Sequence, residues 1–172
     1  MNLVLIGYRG TGKSTVARLL AERLEWPWFD ADVEIESRAG KSIAQIFADD
    51  GEGAFRDWES RVVADLAARE NTILALGGGA IVRPENREAI LRQGRVVWLT
   101  ASPETLWRRI EQDQATAERR PNLTAAGGII EIIATLDARR DVYRQCAHHE
   151  VDTQGRTPEE VADAILEQTQ LR

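Results

Sequence analysis

Several residue types are scarce in this chain of 172 residues, and each scarcity narrows the field. A single cysteine, Cys146, rules out an internal disulfide, and no metal-ligand partner stands near it in the sequence. A buried, inert thiol is expected there. The only histidines, His148 and His149, are adjacent, so they are poorly placed to share one metal; a strand edge or the surface is the expected setting. No apolar run approaches the ~20 residues of a membrane-spanning helix. The chain opens on a strand-like run and shows no signal peptide, so a reducing cytoplasm is the expected compartment. Basic residues are the minority, 22 against 28 acidic, and the net charge of −6 excludes a general nucleic-acid binder while leaving room for a local basic pocket. Neither a heptad seam nor an apolar surface pattern suggests an oligomer, so a monomer without membrane or nucleic-acid partners is expected. A hydrophobic fraction of 43% and a charged fraction of 29% describe one ordinary domain spanning residues 1–172, with no repeat or linker.

What is present is a regular alternation. Apolar β-rich runs recur at Leu3–Ile6, Trp28-Phe29, Thr72–Leu76, Val96–Leu99 and, more weakly, Glu150-Val151. Helical patterns lie between them: Pro84 opens one, Ser102-Pro103 another, Ile129 to about Tyr143 forms a third, and Thr157 caps the last. Strands alternating with helices predict an α/β domain with a parallel sheet covered on both faces.

Between the first strand and the first helix stands Gly7-Tyr8-Arg9-Gly10-Thr11-Gly12-Lys13-Ser14, a complete G-x-x-x-x-G-K-[ST] pattern. Its glycines let backbone N–H groups turn inward toward an anion, and the following helix adds the positive end of its dipole. Lys13 can reach β/γ-phosphates and the Ser14 hydroxyl can ligate Mg²⁺. A nucleotide-phosphate site that takes Mg²⁺ is the resulting expectation.

Further groups gather around this loop. Asp30-Ala31-Asp32 ends the second strand; if that strand continued, both carboxylates would share one side, one for Mg²⁺ and one for an attacking hydroxyl. The same aspartates also suit a helix N-cap before Val33-Glu34-Ile35-Glu36, and both readings stand. Gly77-Gly78-Gly79 closes the third strand and permits close backbone approach to a ligand or to a neighbouring element. Arg56 and Glu59 are spaced i,i+3 on a helix expected from about Gly53 to Ala68. They are either a surface pair or an anion-binding arginine oriented by a carboxylate. Gln112 to Gly128 is polar, holds Arg119-Arg120-Pro121 and ends in two glycines. It is read as a lid rather than as a plain surface loop.

Taken in order, these segments resemble the shikimate kinases, small P-loop kinases that phosphorylate the 3-hydroxyl of shikimate with ATP. The resemblance runs from Gly7–Thr15 through Asp30-Ala31-Asp32, Ser42–Phe47 with Gly51-Glu52, and Phe55-Arg56 with Glu59. It continues through Leu76–Ala80, Arg120-Pro121, Arg139 four residues before Tyr143, and Val151-Asp152-Thr153. It implies a three-layer P-loop kinase fold whose five parallel strands follow the order 2-3-1-4-5, with an acceptor-binding helical segment at 33–62 and a lid at 112–128.

It also implies roles for individual residues. Gly10, Thr11, Gly12, Lys13, Ser14 and Thr15 would hold the nucleotide phosphates, and Ser14 would bind Mg²⁺ with Asp30 assisting through the metal's water shell. Asp32 would contact the acceptor hydroxyls, and Arg56 and Arg139 the shikimate carboxylate, with Glu59 orienting Arg56. Gly78 and Gly79 would meet the acceptor through their backbone. Arg120 would reach the transferring phosphate, and Arg109 and Arg156 would line the adenine pocket. Lys13, Asp32 and Arg120 are the implied catalytic set. The lid departs from the family pattern: Asn122 follows Arg120-Pro121 where leucine is usual, and Arg119 precedes it. A gluconate or nucleoside monophosphate kinase, and a non-catalytic nucleotide-binding regulator, are the competing readings.

Overall fold

A computed structural model describes residues 1–113 and 127–172. Five strands form one sheet: β1 (Asn2–Ile6), β2 (Trp28–Asp30), β3 (Ile73–Ala75), β4 (Gly94–Thr100) and β5 (His149–Asp152). All pairings are parallel and the order is β2-β3-β1-β4-β5, as the resemblance implies. β1 is buried along its whole length, which explains why it reads as an uninterrupted apolar run instead of an alternating one. His149 does fall on an edge strand.

Helices cover both faces. On one face α1 (Lys13–Leu24) and α7 (Pro158–Thr169) bury Val16, Leu20, Val161 and Ile165 against Leu3, Leu5, Ile73 and Val97. On the other, α2 (Ala31–Ala39), α3 (Ile43–Ala67), α4 (Pro84–Gln93) and α6 (Gly128–Cys146) enclose Val4, Ile6, Leu74, Leu76 and Val96. Cys146 is buried in this second core, and burial pushes its thiol pKa up, as an inert thiol requires. A third, smaller core joins α5 (Pro103–Gln112) to α6 around Tyr8, Leu106, Ile110 and Ile132. Among the described residues no helix is long and apolar enough to cross a membrane.

Caps account for the boundaries. Ser42 and Thr157 each form a capping box with the side chain three residues on, Gln45 and Glu160, and Ser102 caps α5 ahead of Pro103. The helix expected from about Gly53 to Ala68 is the second of two helical runs within Ile43–Ala67, which meet at Gly51, whose φ of 87° and ψ of 172° are not helical. Glycine alone adopts that region readily, so two helical runs are joined there at an angle.

A continued second strand is also corrected. The strand ends at Asp30, whose side chain accepts from the Asp32 N–H at 2.9 Å and caps α2. Asp32 therefore stands in the first turn of a helix, and it is this turn that brings both carboxylates to the carboxyl edge of the sheet.

Candidate active site

The phosphate-binding loop follows from its strand. As β1 ends, Gly7 takes φ 142°, and a Cβ there would run into the Leu99 carbonyl of the neighbouring strand. The chain can turn this close to β4 only without a side chain. Thr11 is buried beneath the loop and donates to the Tyr8 carbonyl at 2.8 Å. Lys13 Nζ donates to the carbonyls of Gly7 and Tyr8 at 2.8 and 2.9 Å, which holds its ammonium over the loop. The first turn of α1 contains no acidic residue, and Gly12 precedes it without a side-chain cap, so its N–H groups point to an anion site.

Opposite the loop, Ser14 Oγ donates to Asp30 Oδ2 at 2.5 Å. One carboxylate oxygen of Asp30 thus faces the P-loop hydroxyl while the other caps α2, so capping leaves an oxygen turned to the cleft. A hydroxyl and a carboxylate beside a phosphate cradle are hard oxygen donors of the kind Mg²⁺ takes, and the residues fit that ion.

These groups share one cleft of about 350 Å³ with Gly10, Gly12, Lys13, Thr15, Asp32, Gly77, Gly78 and Arg109 on its walls. Arg9 and Asp113 line it too, although nothing in the sequence singled them out. Arg109 donates to the carbonyl of Gly10 at 3.2 Å and to the hydroxyl and carbonyl of Thr153 at 2.9 and 3.0 Å. It therefore ties the outer corner of the P-loop to the turn after β5. Arg156 lies exposed in that turn, outside the walls of this cleft.

Arg56 is on α3 and reaches the far end of the triple glycine. Its guanidinium donates to Glu59 at 2.6 Å, and Glu59 is only 1% exposed, so the surface-pair reading fails. Gly79 abuts this guanidinium: a Cβ there would stand 2.5 Å from both terminal nitrogens. The glycine makes room for an arginine. Gly78 in turn accepts a hydrogen bond from the buried Tyr143 hydroxyl at 2.5 Å.

Arg139 is half-buried on α6, one turn before Tyr143, with its charge felt at Tyr8. Burial foremost, then the Glu131 carboxylate, push the Tyr8 phenol up in pKa against Arg9, Arg139 and a hydrogen bond with Thr135. Arg140 and Arg144 are exposed beside Asp137 and Asp141. Arg119 and Arg120, with most of the expected lid, lie outside the described residues. In the sequence Tyr143 and Thr153 stand only as parts of motifs, Arg-x-x-x-Tyr and Val-Asp-Thr; what they touch follows from the placement of α6 and β5.

A parallel sheet of this strand order, with a strand–loop–helix phosphate cradle at its carboxyl edge, defines a P-loop phosphotransferase. The family model described as shikimate kinase matches residues 9–170. A shikimate kinase of Symbiobacterium thermophilum is 45% identical over 100% of this chain and 98% of its own length. One of Burkholderia thailandensis is 41% identical over 99% and 91%. The chain belongs to the shikimate kinase family. Among solved structures, the Acinetobacter baumannii shikimate kinase in complex with shikimate superposes with a TM-score of 0.92 at 36% identity, covering 98% of this chain and 92% of that one. The Aquifex aeolicus shikimate kinase gives 0.84 at 34%, covering 99% and 96%. A gluconokinase of Sinorhizobium meliloti shares the fold alone, with a TM-score of 0.59 at 17% identity.

Proposed function

We propose that this protein transfers the γ-phosphoryl group of ATP to the 3-hydroxyl of shikimate. One observation carries the reading. Lys13 and Ser14 of the P-loop, Asp30, Asp32, Gly77 and Gly78 line a single cleft, and the next residue, Gly79, abuts Arg56. Phosphate cradle, carboxylate and carboxylate-binding arginine are the three parts that transfer to a small hydroxy acid needs. A nucleoside monophosphate kinase would need a base pocket in place of the last, and a regulatory switch would need no acceptor site.

Within this reading the residues act by positioning and charge neutralisation. The N–H groups of residues 10–15 and Lys13 bind phosphate oxygens. Ser14 and Asp30 supply oxygen donors for Mg²⁺, which when bound neutralises charge on the transferring phosphate. Asp32 accepts a hydrogen bond from the attacking hydroxyl and orients it. Arg56, held by Glu59, and Arg139 bind the shikimate carboxylate between α3 and α6, and segment 33–62 forms the acceptor wall. Gly78 and Gly79 present backbone groups to the acceptor. Arg109 and Arg156 flank the adenine. Arg120 neutralises charge on the transferring phosphate, so Arg120→Ala lowers turnover far more than Arg119→Ala. The setting is a monomer in the cytoplasm, where ATP is supplied. A coupled ADP-release assay offering shikimate, gluconate and nucleoside monophosphates in turn tests the proposal: turnover confined to shikimate is expected, and preference for either rival refutes it.

A further inference from the structure

Tyr143 has 0% exposure, yet it carries a polar hydroxyl into the core and spends it on one backbone carbonyl beside the cleft. We propose that Tyr143 is a positioning residue for the acceptor: its hydroxyl fixes the triple-glycine turn and, through it, the spacing of Arg139 from Arg56. The proposal rests on the shikimate kinase reading of Gly79, Arg56 and Arg139.

Three observations carry it. The hydroxyl donates to the Gly78 carbonyl at 2.5 Å across 65 residues of sequence, from α6 to the turn after β3. The peptide unit is planar and trans, so the N–H of Gly79 points opposite to the Gly78 carbonyl. A donor that holds this carbonyl therefore also aims the Gly79 N–H. No glycine in this run has a side chain to pack, and a hydrogen bond from a buried neighbour is what can hold such a turn in one orientation.

Second, the ring is itself fixed. It stacks on Trp98 of β4 with centroids 5.4 Å apart and planes 10° from parallel, so the hydroxyl has one direction available. Third, the turn is gripped from both sides. Gly78 is bonded to Tyr143 on α6, and Gly79 lies against the Arg56 guanidinium of α3. Arg139 precedes Tyr143 by one helical turn on the same α6. Two arginines on separate helices are thus registered to each other through two glycines, and a planar carboxylate held between them senses an error in that spacing directly.

The test is Tyr143→Phe, which keeps the ring and its stack and removes only the donor. Protection of the Ala80 amide against hydrogen exchange, which rests on its hydrogen bond to the Gly77 carbonyl across this turn, should fall at least tenfold, since the turn loses its anchor. The KM for shikimate should rise about five- to tenfold, with the KM for ATP and the melting temperature nearly unchanged. Val96→Ala serves as the packing control: it trims the same core but keeps the Tyr143 hydroxyl and its stack on Trp98, so it should lower the melting temperature while leaving both KM values in place. Unchanged amide protection in Tyr143→Phe overturns the proposal whatever the acceptor is. Equal rises in both KM values, or a Val96→Ala variant with the same shikimate defect, overturn it as well, because packing alone then explains the effect. Should the wild type phosphorylate a different hydroxy acid, the proposed function fails on its own. A selective rise in KM for that acid would then still support the role of Tyr143, and no rise would end it.

Discussion

Gly79→Ala isolates one contact with little collateral damage. Gly79 has φ −94° and ψ −2°, a conformation that alanine adopts, so the backbone resists the change only weakly. The added methyl would stand 2.5 Å from both terminal nitrogens of Arg56 and 2.8 Å from the carbon between them. Contacts of this kind settle at about 3.5 Å or more, so the guanidinium must retreat by roughly 1 Å. A hydrogen bond stretched that far is lost, and one to a charged group contributes about 1.5–3 kcal/mol. The shikimate KM should therefore rise roughly 10- to 150-fold. Stability should move little. Strain on the Arg56–Glu59 pair is partly offset by the reduced freedom of the unfolded chain, worth about 0.4–1 kcal/mol. Steady-state kinetics with each substrate varied, beside a thermal melt, reads all three quantities. A variant with wild-type shikimate KM would refute the assigned closeness of Gly79 and Arg56. A rise in KM for ATP instead would refute the assignment of Arg56 to the acceptor.

Arg56→Ala should cost about 3–5 kcal/mol of stability in denaturant melts, because it strips the cation from a carboxylate that is 1% exposed; Arg139→Ala, on a half-buried helix face, should weaken shikimate binding in calorimetry with a much smaller change in the melt. Lys13→Ala should nearly abolish turnover in a folded protein, and substantial residual rate would remove Lys13 from the phosphate site. Asp32→Asn should reduce turnover strongly and leave the melting temperature nearly in place, since the cap of α2 belongs to Asp30; a wild-type rate would leave Asp32 with a structural part only. For pH, burial foremost, then Arg95 and His148, hold the His149 pKa below its usual 6.5. The unfolded chain therefore takes up a proton first as pH falls below about 6.5, and this contribution to stability is full above that point and fades beneath it. His149→Gln should flatten that part of a melting-temperature profile, and an unaltered profile would assign the slope to other groups.

The P-loop, the sheet and the helix caps were legible in the sequence because each is a local pattern: Gly and Lys at fixed spacing, an apolar run, Ser or Thr before Pro. Asp30 was legible only as a choice, since a cleft-facing carboxylate and a helix cap use the same residue, and the geometry turns one of its oxygens to Ser14 and the other to the Asp32 N–H. The Gly51 break was missed because a glycine between two helical patterns reads equally as a start or a kink. Gly79 as a berth for Arg56, and Tyr143 as the donor to Gly78, join residues far apart in sequence; periodicity carries no information about such meetings. Arg56 and Glu59 show the limit most clearly, because an i,i+3 pair looks identical whether water or a hydrophobic core surrounds it.

The central position of β1 has a consequence for how the chain comes to fold. Leu3 must wait for Ile73 on one side and Arg95 on the other, so β1 is bonded along both edges only after more than half of the 172 residues exist. Until then, Leu3-Val4-Leu5-Ile6 is a sticky apolar segment with bare backbone polar groups. It is the natural place for a nascent or heat-shocked chain to aggregate or to engage a chaperone. A fragment ending before β4 would keep every P-loop residue and still lack the strand that lets the loop form.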